Sequence, residues 1–189
     1  MLVSDSEKLV KRARFLATQA RDAAPHYQHS QIGYNYRLSY VLAGIGRGQL
    51  QDLQQRVEAR RRNFEVYEKA LGNLPGIEFM PEAEFGRATR WLTCLTINPQ
   101  AFGADREEVR LSLAEKKIES RPVWKPLHMQ PVFAECKSFG GEVASDLFTR
   151  GLCLPSGSNL TDEDLERTIE AVKVVHQSKQ TSQSSLFMV

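Results

Sequence analysis

The sequence predicts an α+β protein in which a small sheet is packed by helices. Three observations lead to this fold class. The first half contains a long stretch with helical periodicity, the second half contains several short apolar runs of strand length, and a capped amphipathic helix lies near the C-terminus. With 189 residues and 41% apolar side chains, the chain is also long enough to bury a core.

The first 38 residues are predicted to contain a strand, a helix and a long loop. Met1-Leu2-Val3 is expected to be a short buried strand, and Ser4 with Glu7 to form a capping box that starts the helix. Residues 21–38 show neither helical nor alternating periodicity and are rich in aromatic and polar side chains, which is typical of an ordered functional loop. Because the first strand has no partner before it, we expect residues 1–38 to be the remnant of a larger domain.

A long amphipathic helix is predicted to follow, with residues 39–72 as a connecting helical region. Its apolar residues are spaced by three, four and seven positions between Leu50 and Leu71. The glycines, asparagine and proline within residues 72–76 then end the helix.

From residue 73 the pattern changes to short strands that alternate with helices, and residues 73–176 are predicted to form a C-terminal α+β domain. Capping signals mark two of its helices, because Asp105 is followed by Glu108 and Thr161 by Asp164. The segment 177–189 is rich in Ser, Gln and Lys and is predicted to be a disordered tail. The predicted strands are 77–80, 91–97, 118–123 and 152–154, and the predicted helices are 105–117, 143–149 and a last one that begins at Thr161.

Charge and cysteine content exclude several classes of function. The 25 basic and 23 acidic residues nearly cancel, so no whole-chain field would recruit nucleic acid or a membrane surface. The three cysteines are an odd number without a C-x-x-C pair, which favours a reducing compartment over a disulfide scaffold. No stretch approaches the roughly 18 apolar residues of a membrane span, and the N-terminus lacks the features of a signal peptide. We therefore expect a cytoplasmic protein with neither nucleic-acid nor membrane partners.

Three further patterns are better explained without a ligand. The glycines of residues 44–48 lack both a preceding strand and the spacing of a phosphate-binding loop, so we interpret them as a place of close helix approach. His26 and His29 have no nearby acidic or thiol ligand to complete a set, and we expect no metal site. The arginines at 60–62 are interpreted as the solvated face of the long helix.

One candidate site lies just before the long helix. There the segment 32–39 places Asn35, Arg37 and two tyrosines ahead of a helix N-terminus, where backbone N–H groups and the helix dipole favour anions.

A second candidate site is the proline-rich loop 120–131. It displays Trp124, Lys125 and His128, and an aromatic face, a cation and a titratable donor are what a sugar nucleotide would need. A purely structural proline-rich loop is the alternative.

These two segments carry a resemblance to a known family. The stretches HSQIGYNYRLS at 29–39 and ESRPVWKPLHMQPVF at 119–133 resemble signature stretches of the DegT/DnrJ/EryC1/StrS aminotransferases. The stretches LFTRGLCLPSGS at 147–158 and LTDEDL at 160–165 are similar to the same family. The resemblance implies a fold-type I pyridoxal-phosphate enzyme, generally a dimer, that aminates a keto group of a nucleotide-linked deoxysugar with glutamate as the usual donor.

The resemblance also implies which part of such an enzyme this is. The chain corresponds to the C-terminal small domain, with residues 1–38 left from the large cofactor-binding domain. The family's catalytic lysine would lie a few residues before the first strand. No residue of this chain is therefore expected to take that role, and the fragment alone is expected to bind no cofactor and to be inactive.

Five site residues carry over from the family. Asn35 matches the asparagine that reaches across the dimer to the cofactor phosphate of the neighbouring subunit, and Arg37 is expected to support its loop. Trp124, Lys125 and His128 match the loop that borders the sugar-nucleotide pocket.

The implied reaction transfers an amino group from glutamate to C4 of a 4-keto-6-deoxy nucleotide sugar, for surface polysaccharide or glycan biosynthesis. The RPVWKPLH form is most similar to members that act on UDP-linked N-acetylated sugars, with GDP- and dTDP-linked sugars as alternatives. Two other classes of function stay open, a stand-alone sugar-nucleotide binding module and a non-catalytic dimerisation domain.

Overall fold

A computed structural model of the chain describes residues 2–186, with side chains described as far as residue 178. The chain forms two compact units, Met1–Asp52 and Leu53–Val189, and the boundary falls within its longest helix. The helices are α1 (Glu7–Ala17), α2 (Tyr40–Leu71), α3 (Pro99–Phe102), α4 (Arg106–Glu115), α5 (Glu142–Arg150) and α6 (Asp162–Leu186); the strands are β1 (Ile77–Phe79), β2 (Thr93–Ile97), β3 (Arg121–Pro122) and β4 (Gly151–Leu154).

The second unit contains a four-stranded antiparallel sheet in the order β1-β2-β4-β3. Leu95 of β2 lies opposite Leu152 of β4, and both side chains are buried on the same face of the sheet. Helices cover that face and complete the core. Their buried residues include Tyr67 and Leu71 of α2, Val109 and Leu113 of α4, and Leu165 and Val172 of α6. The predicted α+β fold, a small antiparallel sheet packed by helices, is therefore confirmed.

The caps that were expected from the sequence set the starts of two core helices. Asp105 Oδ1 accepts hydrogen bonds from the Glu107 and Glu108 N–H groups at 2.8 and 2.9 Å, and Glu108 Oε2 accepts from the Asp105 N–H at 2.9 Å. Thr161 and Asp164 bond to each other in the same reciprocal way. Both capping boxes are confirmed, and they satisfy N–H groups that would otherwise lack partners at the helix ends.

The start of the chain differs from the sequence prediction. Leu2 and Val3 form no strand and are 63% and 81% exposed, because no other strand pairs with them; Met1 lies outside the described residues. The N-cap of α1 is Ser6, whose Oγ accepts from the Leu9 N–H, whereas the Ser4 hydroxyl accepts from the Ser6 N–H. The expected Ser4–Glu7 capping box is therefore not formed.

The end of the chain also differs. The backbone of α6 continues to Leu186, so residues 177–186 are helical rather than a disordered tail. Their sequence contains neither Gly nor Pro, and a helix that has already formed continues at little cost through such residues. Residues 187–189 of the predicted tail lie outside the described residues.

The first unit has almost no core of its own. Among its described residues Ala20 alone is a buried apolar residue, whereas many large apolar side chains are exposed. The exposed ones include Tyr27, Ile32, Tyr34, Tyr36, Leu38, Tyr40, Val41, Leu42, Ile45 and Leu50. Within the part of the chain that the structure describes, no helix combines the length and the apolar composition of a membrane span.

In the second unit the three arginines of α2 make intramolecular bonds; the Arg61 side chain is mostly buried, whereas that of Arg62 is half exposed. Arg60 donates to the Trp91 carbonyl and Arg62 to the Asp162 carboxylate. Arg61 donates to both carboxylate oxygens of Glu82, at 2.8 and 3.0 Å. These bonds tie α2 to the segment before β2 and to the start of α6.

The Glu82 contacts predict a pH dependence of stability. Hydrogen bonds donated by Arg61 and by the Ala88 N–H lower the pKa of Glu82 from 4.5 to about 2. Because this pKa is lower in the folded chain than its ordinary value, the interaction stabilises the fold above about pH 4.5 and is lost as the pH falls toward 2. We expect Glu82→Gln to lower the free energy of unfolding at pH 7 and to have little effect near pH 2. Denaturant unfolding across this pH range would test this prediction, with Glu84→Gln at a nearby exposed position as the control. If the difference in unfolding free energy between Glu82→Gln and the wild type does not change with pH, the prediction is contradicted.

Candidate functional site

A cavity of about 520 Å³ lies in the first unit, where the end of α1 meets the loop that precedes α2. It contains both residues that the sequence assigned to this region, Asn35 and Arg37. The complete lining is Thr18, Gln19, Arg21, Asp22, Tyr27, Asn35 and Arg37.

Backbone hydrogen bonds hold the Asn35 loop against the end of α1. Thr18 and Asn35 form an isolated antiparallel bridge, with the Gln19 N–H donating to the Tyr34 carbonyl at 2.9 Å. The fit is close at Gly33, because an added Cβ there would lie 2.2 Å from the nitrogen of Ala20. Asn35 is therefore positioned by its backbone, which leaves its side chain available for the cavity.

The backbone opposite this loop is strained. Gln19 and Ala20 both adopt left-handed conformations, with φ values of 65° and 49°. Non-glycine residues in this region are uncommon, and two in succession require support from their surroundings. The close contact with Gly33 and the burial of Ala20 supply such support.

The polar groups of the first cavity suit an anion. Asp22 already accepts from the Ser30 hydroxyl at 2.9 Å, and the Arg21 guanidinium lies 4.2 Å from the centre of the Tyr27 ring. Within the described residues, neither the Asn35 carboxamide nor the Arg37 guanidinium has a hydrogen-bond or ion-pair partner. The cavity thus offers a carboxamide and a guanidinium as donors, a combination that fits the oxygens of a phosphate.

The histidines of the first unit have local partners. His29 Nδ1 lies 2.9 Å from the Gln19 carbonyl oxygen, and His26 Nε2 lies 3.2 Å from Gln28 Oε1. Over the described range of the chain, no group of three or more His, Cys, Asp or Glu side chains is arranged to hold a metal ion. The two histidines have a structural explanation in the loop.

A second cavity, of about 580 Å³, lies in the second unit at the edge of the sheet that carries β3 and β4. Trp124 lines it, whereas Lys125 and His128 do not. His128 bonds instead to the Ser145 hydroxyl of α5 at 2.9 Å, and its ring packs so closely on Gly141 that a Cβ there would lie 2.7 Å away. Of the three residues singled out in this loop, Trp124 therefore lies at the cavity, and His128 has a structural contact with α5.

Trp91 is an aromatic residue of this cavity that the sequence did not reveal. Its ring lies 5.8 Å from that of Trp124, at an interplanar angle of 31°, and both rings are largely exposed. The available signal in the sequence was that Trp91, a large aromatic residue, directly precedes a buried strand. Aromatic residues in such positions are also typical of core packing, so this pattern did not single out Trp91 for a site. The two indoles together form an aromatic surface beside the opening.

Buried and charged residues complete the second cavity. The Ser156 hydroxyl donates to the Leu154 carbonyl and accepts from the Thr93 N–H at 2.7 Å, which fixes the turn after β4. The cationic lining residues are Lys117, Arg121 and Arg167, and the acidic ones are Glu119 and Asp164. An aromatic surface with several cations suits a nucleotide and its phosphates.

The fold defines the class of protein. A small antiparallel sheet with helices packed on one face, preceded by a long helix, is also the fold of the C-terminal part of solved aminotransferases. One of them, TlmJ of Streptoalloteichus hindustanus, matches with a TM-score of 0.77 at 22% identity, over 94% of this chain and 47% of that one.

Residues 1–173 match the DegT/DnrJ/EryC1/StrS aminotransferase family, and the chain belongs to it. It is 51% identical over 176 residues to EpsN of Bacillus subtilis, assigned to the pyridoxal phosphate-dependent aminotransferases. It is 30% identical over 179 residues to the GDP-perosamine synthase of Escherichia coli O157:H7. These matches cover 91% and 95% of this chain but 45% and 48% of the relatives, so the chain spans about half their length.

Proposed function

We propose that this chain is the C-terminal part of an aminotransferase that moves an amino group from glutamate to a 4-keto-6-deoxy nucleotide sugar for polysaccharide or glycan biosynthesis. The observation that carries the proposal is the family match over residues 1–173, which includes all the signature segments. The RPVWKPLH form of the loop favours a UDP-linked sugar. GDP- and dTDP-linked sugars are the alternatives, and three relatives are named as GDP-perosamine synthases.

On the cofactor side, Asn35 and Arg37 would hold the phosphate of pyridoxal phosphate. Both line the first cavity, and their donors have no partners within the described residues, so they fit a phosphate dianion. When bound, pyridoxal phosphate supplies the electron sink that allows an amino group to be transferred. Asn35 would act on the cofactor of the neighbouring subunit, and Arg37 would neutralise charge at the same place.

On the substrate side, Trp124 and Trp91 would stack against the nucleotide. Arg121 and Arg167 line the same cavity; their guanidinium groups donate to the Glu119 carboxylate and the Lys116 carbonyl, and would pair with the diphosphate when it binds. We assign Lys125 to the outer edge of this site, because it is exposed in the same loop. The bond of His128 to Ser145 gives it the role of holding the loop in place.

We also propose that the complete enzyme is a homodimer. The first unit leaves many large apolar side chains exposed, and extended apolar patches on a protein surface mark interaction sites. The missing half of the enzyme and a second subunit would cover them. The isolated chain is then expected to self-associate.

A sugar-nucleotide binding module is the second candidate function. One observation favours it: the second cavity is formed entirely by residues 91–168, which belong to the unit that contains the core. Such a module would bind a UDP-sugar without the N-terminal half of the enzyme. Titration of the isolated chain with a UDP-sugar, followed by calorimetry, separates the two functions, since an aminotransferase fragment is expected to show no saturable binding.

The substrate assignment predicts the effect of Trp124→Ala in the complete enzyme. Loss of base stacking costs about 1–3 kcal/mol, so the KM for the nucleotide sugar should rise about five- to a hundredfold, while that for glutamate stays the same. Trp124→Phe should retain most of the affinity, and Phe139→Ala, at an exposed aromatic residue outside the cavity lining, is the matched control. An unchanged KM for the nucleotide sugar would overturn the assignment of Trp124.

A further inference from the structure

Two cysteines that are 59 positions apart in the sequence meet in the sheet of the second unit. Cys94 of β2 and Cys153 of β4 are directly opposite each other in the antiparallel register, and their sulfur atoms are 3.5 Å apart. The third cysteine, Cys136, is exposed in the loop before α5. The chain therefore contains one close thiol pair and one separate thiol.

The backbone at this pair has the geometry that a disulfide needs. Opposite residues of antiparallel strands have Cα atoms about 4.5–5.5 Å apart, and disulfides join residues whose Cα atoms are about 4.4–6.8 Å apart. Only the sulfur atoms have to move, from 3.5 Å to a bond of about 2.05 Å. A change of side-chain rotamer can supply this movement without a shift of the strands.

The pair is also reachable. Leu95, Leu152 and Leu154 belong to the hydrophobic core, and because side chains alternate along a strand, the two cysteines lie on the opposite face of the sheet. Cys153 is only 6% exposed but lines the second cavity, and Cys94 is half-buried. A small solute can therefore reach this face.

We propose that Cys94 and Cys153 form a dithiol site that a peroxide converts reversibly into an intramolecular disulfide. The site is independent of the proposed aminotransferase function, because it rests on the two strands alone. A small two-electron oxidant would reach this modification site, and a dithiol reductant would reduce the disulfide back to two thiols.

The two thiols have different roles in this reaction. The hydrogen bond between the two sulfur atoms lowers the pKa of Cys94, although burial opposes this effect. The same hydrogen bond and burial raise the pKa of Cys153. Because Cys94 is also the more exposed of the two residues, we assign it as the thiolate that reacts first and Cys153 as the resolving thiol.

The atoms balance in two steps. The Cys94 thiolate attacks one oxygen of hydrogen peroxide, the O–O bond breaks, and the leaving hydroxide takes up the proton of the thiol as water, which leaves a sulfenic acid. The Cys153 sulfur then attacks the Cys94 sulfur, the S–O bond breaks, and a second water leaves with the Cys153 proton. Two thiols and one peroxide give one disulfide and two waters.

The disulfide would join the strands beside the second cavity. The chain between the two cysteines includes β3 and the Trp124 loop, so the bond closes a long loop and restricts the unfolded chain. The oxidised chain should therefore unfold at a higher denaturant concentration than the reduced chain.

The test is oxidation of the native 189-residue chain with a small excess of hydrogen peroxide, followed by alkylation in denaturant and peptide mapping by mass spectrometry. We expect a linked peptide pair that contains Cys94 and Cys153, with Cys136 alkylated, and full recovery of all three thiols after dithiothreitol. Linkage to Cys136, linkage between chains, or overoxidation of Cys94 without linkage would overturn the proposal.

Variants and a second reagent complete the design. Cys136→Ser should leave the linkage unchanged, whereas Cys94→Ser and Cys153→Ala should each abolish it. If either of the latter variants misfolds, phenylarsine oxide on the wild-type chain decides, because one arsenic atom binds two thiols only when they are close together. Arsenical bound at both Cys94 and Cys153 supports the proposed site, and the absence of such binding contradicts it. The proposal is also contradicted if peroxide gives the same mixture of linkages in the native chain and in the urea-unfolded chain.

Discussion

The 189-residue chain, mixed with pyridoxal phosphate and glutamate in the absence of the rest of the enzyme, is expected to show no transamination. The reaction needs an amine that binds the cofactor covalently and then moves protons, and a lysine suited to this is normally desolvated so that it loses its proton near neutral pH. Over residues 2–178, no lysine is buried. Absorbance spectra with added cofactor, and an assay of 2-oxoglutarate formation, provide the measurement.

The control for this prediction is the same chain expressed together with the N-terminal half of the proposed enzyme. Activity that appears only in the combined sample would locate the catalytic lysine outside this chain. A stoichiometric cofactor adduct on one of its own lysines, fixed by borohydride and mapped by mass spectrometry, would contradict the prediction.

Asn35→Ala is expected to weaken cofactor binding in the complete enzyme about ten- to a hundredfold. A hydrogen bond to a charged group contributes about 1.5–3 kcal/mol, and the Asn35 carboxamide lies at the cavity without a partner among the described residues. Titration of the apoenzyme with pyridoxal phosphate measures the effect. Asn73→Ala, at an exposed asparagine in the turn after α2, is the matched control.

A mixed dimer gives a sharper test of the same residue. If Asn35 acts across the dimer, combining an Asn35→Ala subunit with a subunit that lacks the catalytic lysine places both defects at one site and neither at the other. Part of the activity should then return. Mixed dimers that are shown to form but stay as inactive as the weaker parent would show that Asn35 does not act on the neighbouring subunit.

The parts of the fold that follow from local patterns were predictable. The spacing of apolar residues and the capping pairs located α2, α4 and α6, because these signals depend on residues close together in sequence. The short helix α3 was missed, since four residues show no periodicity. The predicted first strand was not formed because a strand needs a partner, and a sequence run of three apolar residues contains no information about one.

The candidate sites show the same difference between features that depend on local sequence and features that depend on distant residues. Asn35 and Arg37 line one cavity because they are neighbours in a single loop. The meeting of Trp91 with Trp124 depends on the order of the strands, in which β2 pairs with β4 across 59 positions. Lys125 and His128 lie outside the cavity lining, because the short helical turns of their loop direct His128 toward α5. Their roles, and the domain boundaries expected from the sequence, stay predictions.

The unequal burial of the two units affects what calorimetry of this chain can report. The heat-capacity change of unfolding follows the apolar surface that becomes exposed, and nearly all of that surface lies from residue 53 onward. A melting curve therefore records the sheet and its helices and is almost insensitive to the Asn35 loop. Substitutions in that loop can change ligand binding while the calorimetric transition stays where it was, so in this chain the two properties can be measured separately.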